Sequence, residues 1–155
     1  MKTFNEYINE AKEIFKFNGW TKITKVSFIE DMKKNKSLLL SGKIITHKTK
    51  NYGEEFLKTI ATPSELLRLV DYRKEENDWR TVYLVNSNSI KFKRSNGNIS
   101  SLFFDDKGQR SFYKMKLGKG TCYLSYIITE DDKNPFMDDE ETTYSHGFIF
   151  YYIEN

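Results

Sequence analysis

The side chains with chemistry to offer are two histidines, one cysteine, an acidic run and a strand of alternating cations. His47-Lys48-Thr49 has a His-x-Thr form, in which a histidine passes a proton while a hydroxyl grips phosphate. That chemistry needs two copies, and His146-Gly147-Phe148 has no hydroxyl at the required position. The pair would work as general acid and base only if folding brought them together. A structural role for both is the expectation, and the chain reads as a protein without catalytic activity. Cys122 is the only cysteine, which excludes an internal disulfide and a thiolate-cluster metal site and suits synthesis in a reducing cytoplasm. The sequence has no phosphate-cradling glycine motif, serine–histidine–acid set or metal-ligand cluster, so neither cofactor nor metal is expected.

The acidic run occupies residues 131–141, where Asp131, Asp132, Asp138, Asp139, Glu140 and Glu141 face a single Lys133. It lacks the central glycine and regular ligand spacing of a calcium loop. A solvated loop between two strands is the ordinary account. The functional alternative is a docking surface that imitates DNA phosphates and fills a basic cleft, with Phe136 and Met137 as apolar anchors. Among the cations, Arg110, Phe112, Lys114 and Lys116 alternate onto one face of a single strand. Joined by Lys91 and Lys93, they would form a basic, aromatic-bearing sheet face for single-stranded nucleic acid. A polar outer face is the plainer explanation.

The elements that must position these groups follow from periodicity. Thr3 and Glu6 have capping-box spacing, and Phe4, Tyr7, Ile8, Ala11, Ile14 and Phe15 recur as a helical stripe that Gly19 stops. Residues 22–29 and 38–46 read as strands, and the lysine-rich connection 31–37 between them reads as a helical turn capped by Ser27 and Glu30. Residues 53–60 suggest a short helix. Thr62-Pro63-Ser64-Glu65 is a strong helix start; Leu66, Leu67, Leu69 and Val70 face inward, and the helix runs out near Glu75. From Arg80 on, six strands are expected, at 80–85, 89–95, 98–104, 109–117, 121–129 and 143–153. Asn96-Gly97 predicts a two-residue type I′ hairpin, and turns are expected at 105–108 and 118–120. The last strand is apolar on both alternating faces, as a central buried strand would be. With 24 aromatic side chains, 12 of them Phe and 10 Tyr, a β-rich core is favoured. The expected fold class is α+β: an antiparallel β-meander of five to six strands, with the helices of the N-terminal half packed on one face.

The N-terminus reads Met1-Lys2-Thr3-Phe4-Asn5-Glu6-Tyr7-Ile8-Asn9-Glu10-Ala11. It resembles the leader of T-even bacteriophage internal head proteins, whose pattern is Met-Lys-Thr-aromatic-x-Glu-aromatic-Ile-x-Glu-Ala. The resemblance covers these eleven residues of the 155. It implies a segment that directs the chain into the assembling prohead by packing on the scaffold. It also implies a prohead protease that cuts after a Leu/Ile-x-Glu triplet standing before a small residue. Ile8, Glu10 and Ala11 supply that cleavage site. A second triplet, Ile128-Thr129-Glu130, precedes Asp131 rather than a small residue and is discounted. The implied organisation is a propeptide, 1–10, and one mature domain, 11–155.

Charge fits this picture. Residues 1–50 carry 11 lysines against 5 acids, a net of +6, whereas residues 51–155 carry 14 Lys and Arg against 17 acids, a net of −3. Removing Lys2, Glu6 and Glu10 takes the chain from +3 to +4, which suits non-specific contact with packaged DNA. No apolar run approaches the ~20 residues of a membrane span, so no membrane partner is expected. The resemblance implies residence in the virion interior and then, after ejection with the DNA, in the host cytoplasm. There it implies a binding inhibitor of a host defence protein such as a restriction nuclease; the alternative is a protein that coats or condenses DNA in the head. Residues 1–10 fused to a reporter should carry it into phage heads and be cut off there. A reporter that never enters heads, scored by immunoblot of purified virions, would refute the leader.

Overall fold

The computed structural model describes residues 19–53, 55, 57, 62–104, 108–133, 136 and 141–155. The leader with its cleavage residues, the N-terminal helical stripe, residues 105–107 and Met137, Asp138, Asp139 and Glu140 lie outside the described residues. Eight strands form one antiparallel sheet: β1 (Thr21–Ile23), β2 (Ser37–His47), β3 (Trp79–Val85), β4 (Ser89–Arg94), β5 (Ile99–Phe103), β6 (Gln109–Leu117), β7 (Gly120–Glu130) and β8 (Tyr144–Glu154). Their order across the sheet is β1-β6-β7-β8-β2-β3-β4-β5. Two meanders, β3–β5 and β6–β8, are therefore joined through β2. Two helices accompany them, α1 (Lys25–Lys34) and α2 (Pro63–Glu76).

The expected α+β meander of five to six strands is overturned. The fold is mainly β, with eight strands beside the helices α1 and α2; Tyr52, Gly53, Glu55 and Leu57 are also helical, where a short helix was expected. The six C-terminal strands are present; β1 and β2 complete the same sheet, and the helices lie on opposite faces rather than one. Local patterning has no means of showing that β2 would insert between β8 and β3, because those pairings are non-local in sequence.

Residues 22–29 are not a strand. Only Thr21–Ile23 pairs, with β6. Thr24 then caps α1, its hydroxyl accepting from the Ser27 amide at 3.0 Å, and the cap competes with continued extension. Phe28 and Met32, four residues apart, put one apolar stripe inward. In α2 the expected cap is found: Thr62 accepts from the Glu65 amide, Pro63 fills the first turn, and Asn77 closes the end in a left-handed conformation. Leu66 and Val70 are buried and Leu69 half-buried, while Leu67 points outward.

The hairpin between β4 and β5 differs from the two-residue turn expected. Arg94 N–H donates to Asn98 O, and Gly97 N–H to Arg94 O. Only Gly97 of the loop has a positive φ, 88°. This is a three-residue loop ending in a left-handed glycine, and Asn96 accepts from the Asn98 amide instead of taking a positive φ itself.

Each face carries its own core. Against α2 lie Leu38, Leu40, Tyr113, Met115, Cys122, Leu124, Phe148, Phe150 and Tyr152, together with Trp20. Against α1 lie Ile90, Phe92, Leu102, Phe112, Tyr123, Tyr151 and Ile153. β8 supplies alternate side chains to both, so it is the central buried strand its sequence suggested. Phe104, just past edge strand β5, meets Phe112 of β6 with ring centroids 6.0 Å apart, so the sheet curls around α1. Lys25 reinforces this closure, lying 4.4 Å over the Phe104 ring and donating to Ser87 O. Phe28 is the plug: fully buried, stacked on Phe112 at 4.6 Å and edge-on to Tyr123 at 6.0 Å. Phe28→Ala should lower the unfolding free energy by about 3–5 kcal/mol, read from urea denaturation by circular dichroism. A loss below about 1 kcal/mol would show that α1 is not a core element.

Candidate functional site

The two histidines do come together, in a cluster around the Thr49 peptide. His146 is fully buried on β8. Its Nε2 lies 3.2 Å from Thr49 O and its Nδ1 2.7 Å from Tyr126 Oη. A carbonyl only accepts, so Nε2 carries the proton and Nδ1 accepts from the tyrosine hydroxyl. Burial lowers the His146 pKa, helped by the charge of His47; the Thr49 carbonyl and Asp131 act in the opposite direction. His47 Nδ1 accepts from the Thr49 amide at 2.9 Å, and its ring stacks on Tyr52 at 3.9 Å and 4°. Tyr52 in turn meets His146 edge-on at 6.1 Å. Gly53 must lack a side chain, because a Cβ there would overlap the Tyr126 hydroxyl. With both its nitrogens committed to structural bonds, His146 has no lone pair left for a substrate, and the cluster fastens the segment after β2 onto β7 and β8.

The acidic connection between β7 and β8 has a fixed base. Asp131 accepts from Thr143 Oγ1 at 2.8 Å and from Ser145 Oγ at 2.6 Å, and its amide donates to Thr143 O at 2.9 Å. Of the other residues singled out there, Asp132 and Glu141 are exposed and Phe136 is 92% exposed. The loop leaves the sheet from two adjacent strands whose register is continuous up to Glu130↔Tyr144. Among the described residues no three of His, Cys, Asp and Glu converge as metal ligands, and no helix is long and apolar enough to cross a membrane.

The basic sheet face does not assemble. Arg110, Lys114 and Lys116 share the α1 face with Phe112, but Phe112 is buried under Phe28 and unavailable for base stacking. Arg110 is half-buried and donates to Ser125 Oγ at 2.5 Å. Lys91 and Lys93 alternate with Ile90 and Phe92, which belong to the same α1-face core, so both lysines point to the opposite side. They also lie on β4, with β3, β2, β8 and β7 between them and β6.

Residues that spacing missed are those whose roles depend on pairing far along the chain. Tyr126 and Gly53 complete the histidine cluster, which Thr49 of the His-x-Thr form enters through its backbone rather than its hydroxyl, and three arginines (Arg73, Arg80 and Arg94) converge beside Asp78 from α2, β3 and β4. No local motif marks either set. No protein family, curated protein or solved structure matches this chain.

The His146 environment gives a pH signature. A native state with a lowered histidine pKa binds fewer protons than the unfolded chain, whose value is near 6.5. Stability is therefore lost as pH falls through that ordinary value, and the loss levels off below the lowered native one. The melting temperature should decline between about pH 7.5 and about pH 5.5, and His146→Gln should flatten that decline. Tyr126→Phe, which removes the donor to Nδ1, should cost about 1–3 kcal/mol at neutral pH. Thermal melts of the three proteins across this interval check both; a wild-type curve with no slope there contradicts the assignment.

Proposed function

We propose that this chain is a phage internal head protein. It enters the prohead on its leader, is cut after Glu10 by the prohead protease, and is ejected with the DNA into the host. There the mature domain binds and blocks a host defence protein such as a restriction nuclease. The observation that carries this reading is the match of Met1-Lys2-Thr3, Glu6, Ile8, Glu10 and Ala11 to the leader pattern.

Several features support a binding role. His146, the buried histidine, is bonded through both nitrogens. The excess of acids in residues 51–155 includes a loop presented from a base that Asp131 pins on both strands. A rigid base lowers the entropy cost of docking, and closely spaced carboxylates suit the phosphate-binding cleft of a nuclease. The coating alternative has less to stand on, since its cations are divided between opposite faces and its aromatic is buried.

Residues 11–155 should capture one host protein from lysate. Reversing the charges of Asp138, Asp139, Glu140 and Glu141 should weaken that capture at least tenfold, about 1.4 kcal/mol, while leaving the melting temperature unchanged. Undiminished capture by the variant would dismiss the acidic loop as the working surface. Binding to any DNA with a steep salt slope would favour coating instead.

A further inference from the structure

β2 pairs with β3 only at Ser37↔Arg80 and Leu38↔Trp79. Beyond that point the strands part, and a cleft of about 520 Å³ opens between the end of α2 and the β4–β5 hairpin. A bulge in β2 between Leu39 and Ser41 sits at its floor. Arg73, anchored by its Nε to Leu40 O at 3.1 Å, forms one wall. Arg94 forms another and Arg80 lies between them.

The charges in this cleft do not balance. Glu76 is taken by Arg73 at 2.7 Å. Asp78 is taken by Arg94, whose NH2 and Nε both reach Oδ2, at 2.7 and 3.1 Å. Arg94 holds the Asp78 carboxyl below the usual range, as expected for a committed ion pair. Both carboxylates lining the cleft are thus engaged at short range by other arginines, and the third guanidinium keeps only a long contact with Asp78. Arg80 NH2 comes no nearer to Asp78 than 3.8 Å, and its NH1 donates only to Ser100 Oγ at 3.3 Å. Its side chain is 12% exposed, and its Nε is buried with no hydrogen-bond partner. Burial works against the Arg80 charge more than Tyr151 and Asp78 support it, and Arg94 and Arg73 add to that pressure. A desolvated cation flanked by two further cations is costly unless an anion joins it.

We propose that this cleft binds a phosphate-bearing ligand, the phosphate seated on the terminal nitrogens of Arg80 between Arg73 and Arg94. Guanidinium forks match a tetrahedral oxyanion with several acceptor oxygens, and the volume falls within the range of small-molecule sites. Asn77 and Asn96 line the rim with amides that suit polar groups beyond the phosphate. The phosphate can come from a free small molecule or from the end of a nucleic-acid strand; the chemistry recognised is the same.

The test uses the full 155-residue chain. Inorganic phosphate, a deoxynucleoside 5′-monophosphate and a short 5′-phosphorylated oligonucleotide are titrated at low ionic strength, with succinate as a carboxylate control, and amide shifts are followed by NMR. The expected result is saturable binding of the phosphates that moves the amides of Leu39, Asn77, Ser95 and Asn96. A tighter fit for the mononucleotide indicates a small-molecule source, and one for the oligonucleotide indicates a strand end. Arg80→Met should weaken binding at least tenfold, and Arg80→Lys should restore part of it. Should either variant fail to fold, the wild-type shift map decides alone. No phosphate binding, shifts confined to another surface, equal affinity for succinate, or a folded Arg80→Met that binds as well as wild type would each overturn the proposal.

Discussion

Two pairs of residues carry the hydrogen-bonded union between the β3–β5 meander and the other five strands. So narrow a joint in the sheet would let the meander swing, and what holds it is the aromatic cluster beneath α1. Phe28 and Met32 bring α1 against Phe112, Tyr123 and Tyr151 on one side and against Ile90, Phe92 and Leu102 on the other. Phe92 stacks on Tyr151 with centroids 5.5 Å apart, directly across the joint. Side-chain packing thus does what backbone pairing does elsewhere in the sheet. The curl around α1, the closeness of Phe104 to Phe112, and the opening between β2 and β3 all follow from it.

The other face has a different logic. There α2 covers a conventional core through Leu66 and Val70, and its C-terminal Arg73 reaches over to the carbonyl of Leu40, a residue that the bulge leaves out of the β2–β8 register. A buried carbonyl without a partner is costly, so one long side chain both settles the irregularity and positions its guanidinium. Lys74, one residue on, pairs with Glu154 at the end of β8, so the last turn of α2 is tied to the sheet at two places.

What was legible in the sequence was local. The α2 cap at Thr62-Pro63, the alternation that marks β8 as buried on both faces, and the six C-terminal strands depend on neighbours within a few residues. Two other features were not legible. Val26, Phe28 and Ile29 look like strand residues by type, and only the Thr24 cap and the Phe28–Met32 spacing reveal a helix. The grouping of Lys91 and Lys93 with Lys114 and Lys116 needed knowledge of which strands neighbour which, and the two sets stand on strands separated by four others in the sheet order and on opposite sides. The histidines illustrate both limits: their types were plain and Thr49 stood beside His47 in the motif, yet the bonds run to the Thr49 backbone, and no spacing connects His146 to Thr49 or Tyr126. The leader belongs to a different category, since it reads as a linear signal and owes nothing to the fold.

Cys122 sits in β7 with no exposed surface, between neighbours on the α2 face, and burial drives its thiol well above its ordinary pKa. Reagents that attack thiolates meet nothing until the core packed on the α2 face is uncovered. The lone thiol is therefore a built-in clock for opening of that core: its alkylation rate reports how often the α2 face of the sheet is laid bare, without any label being introduced.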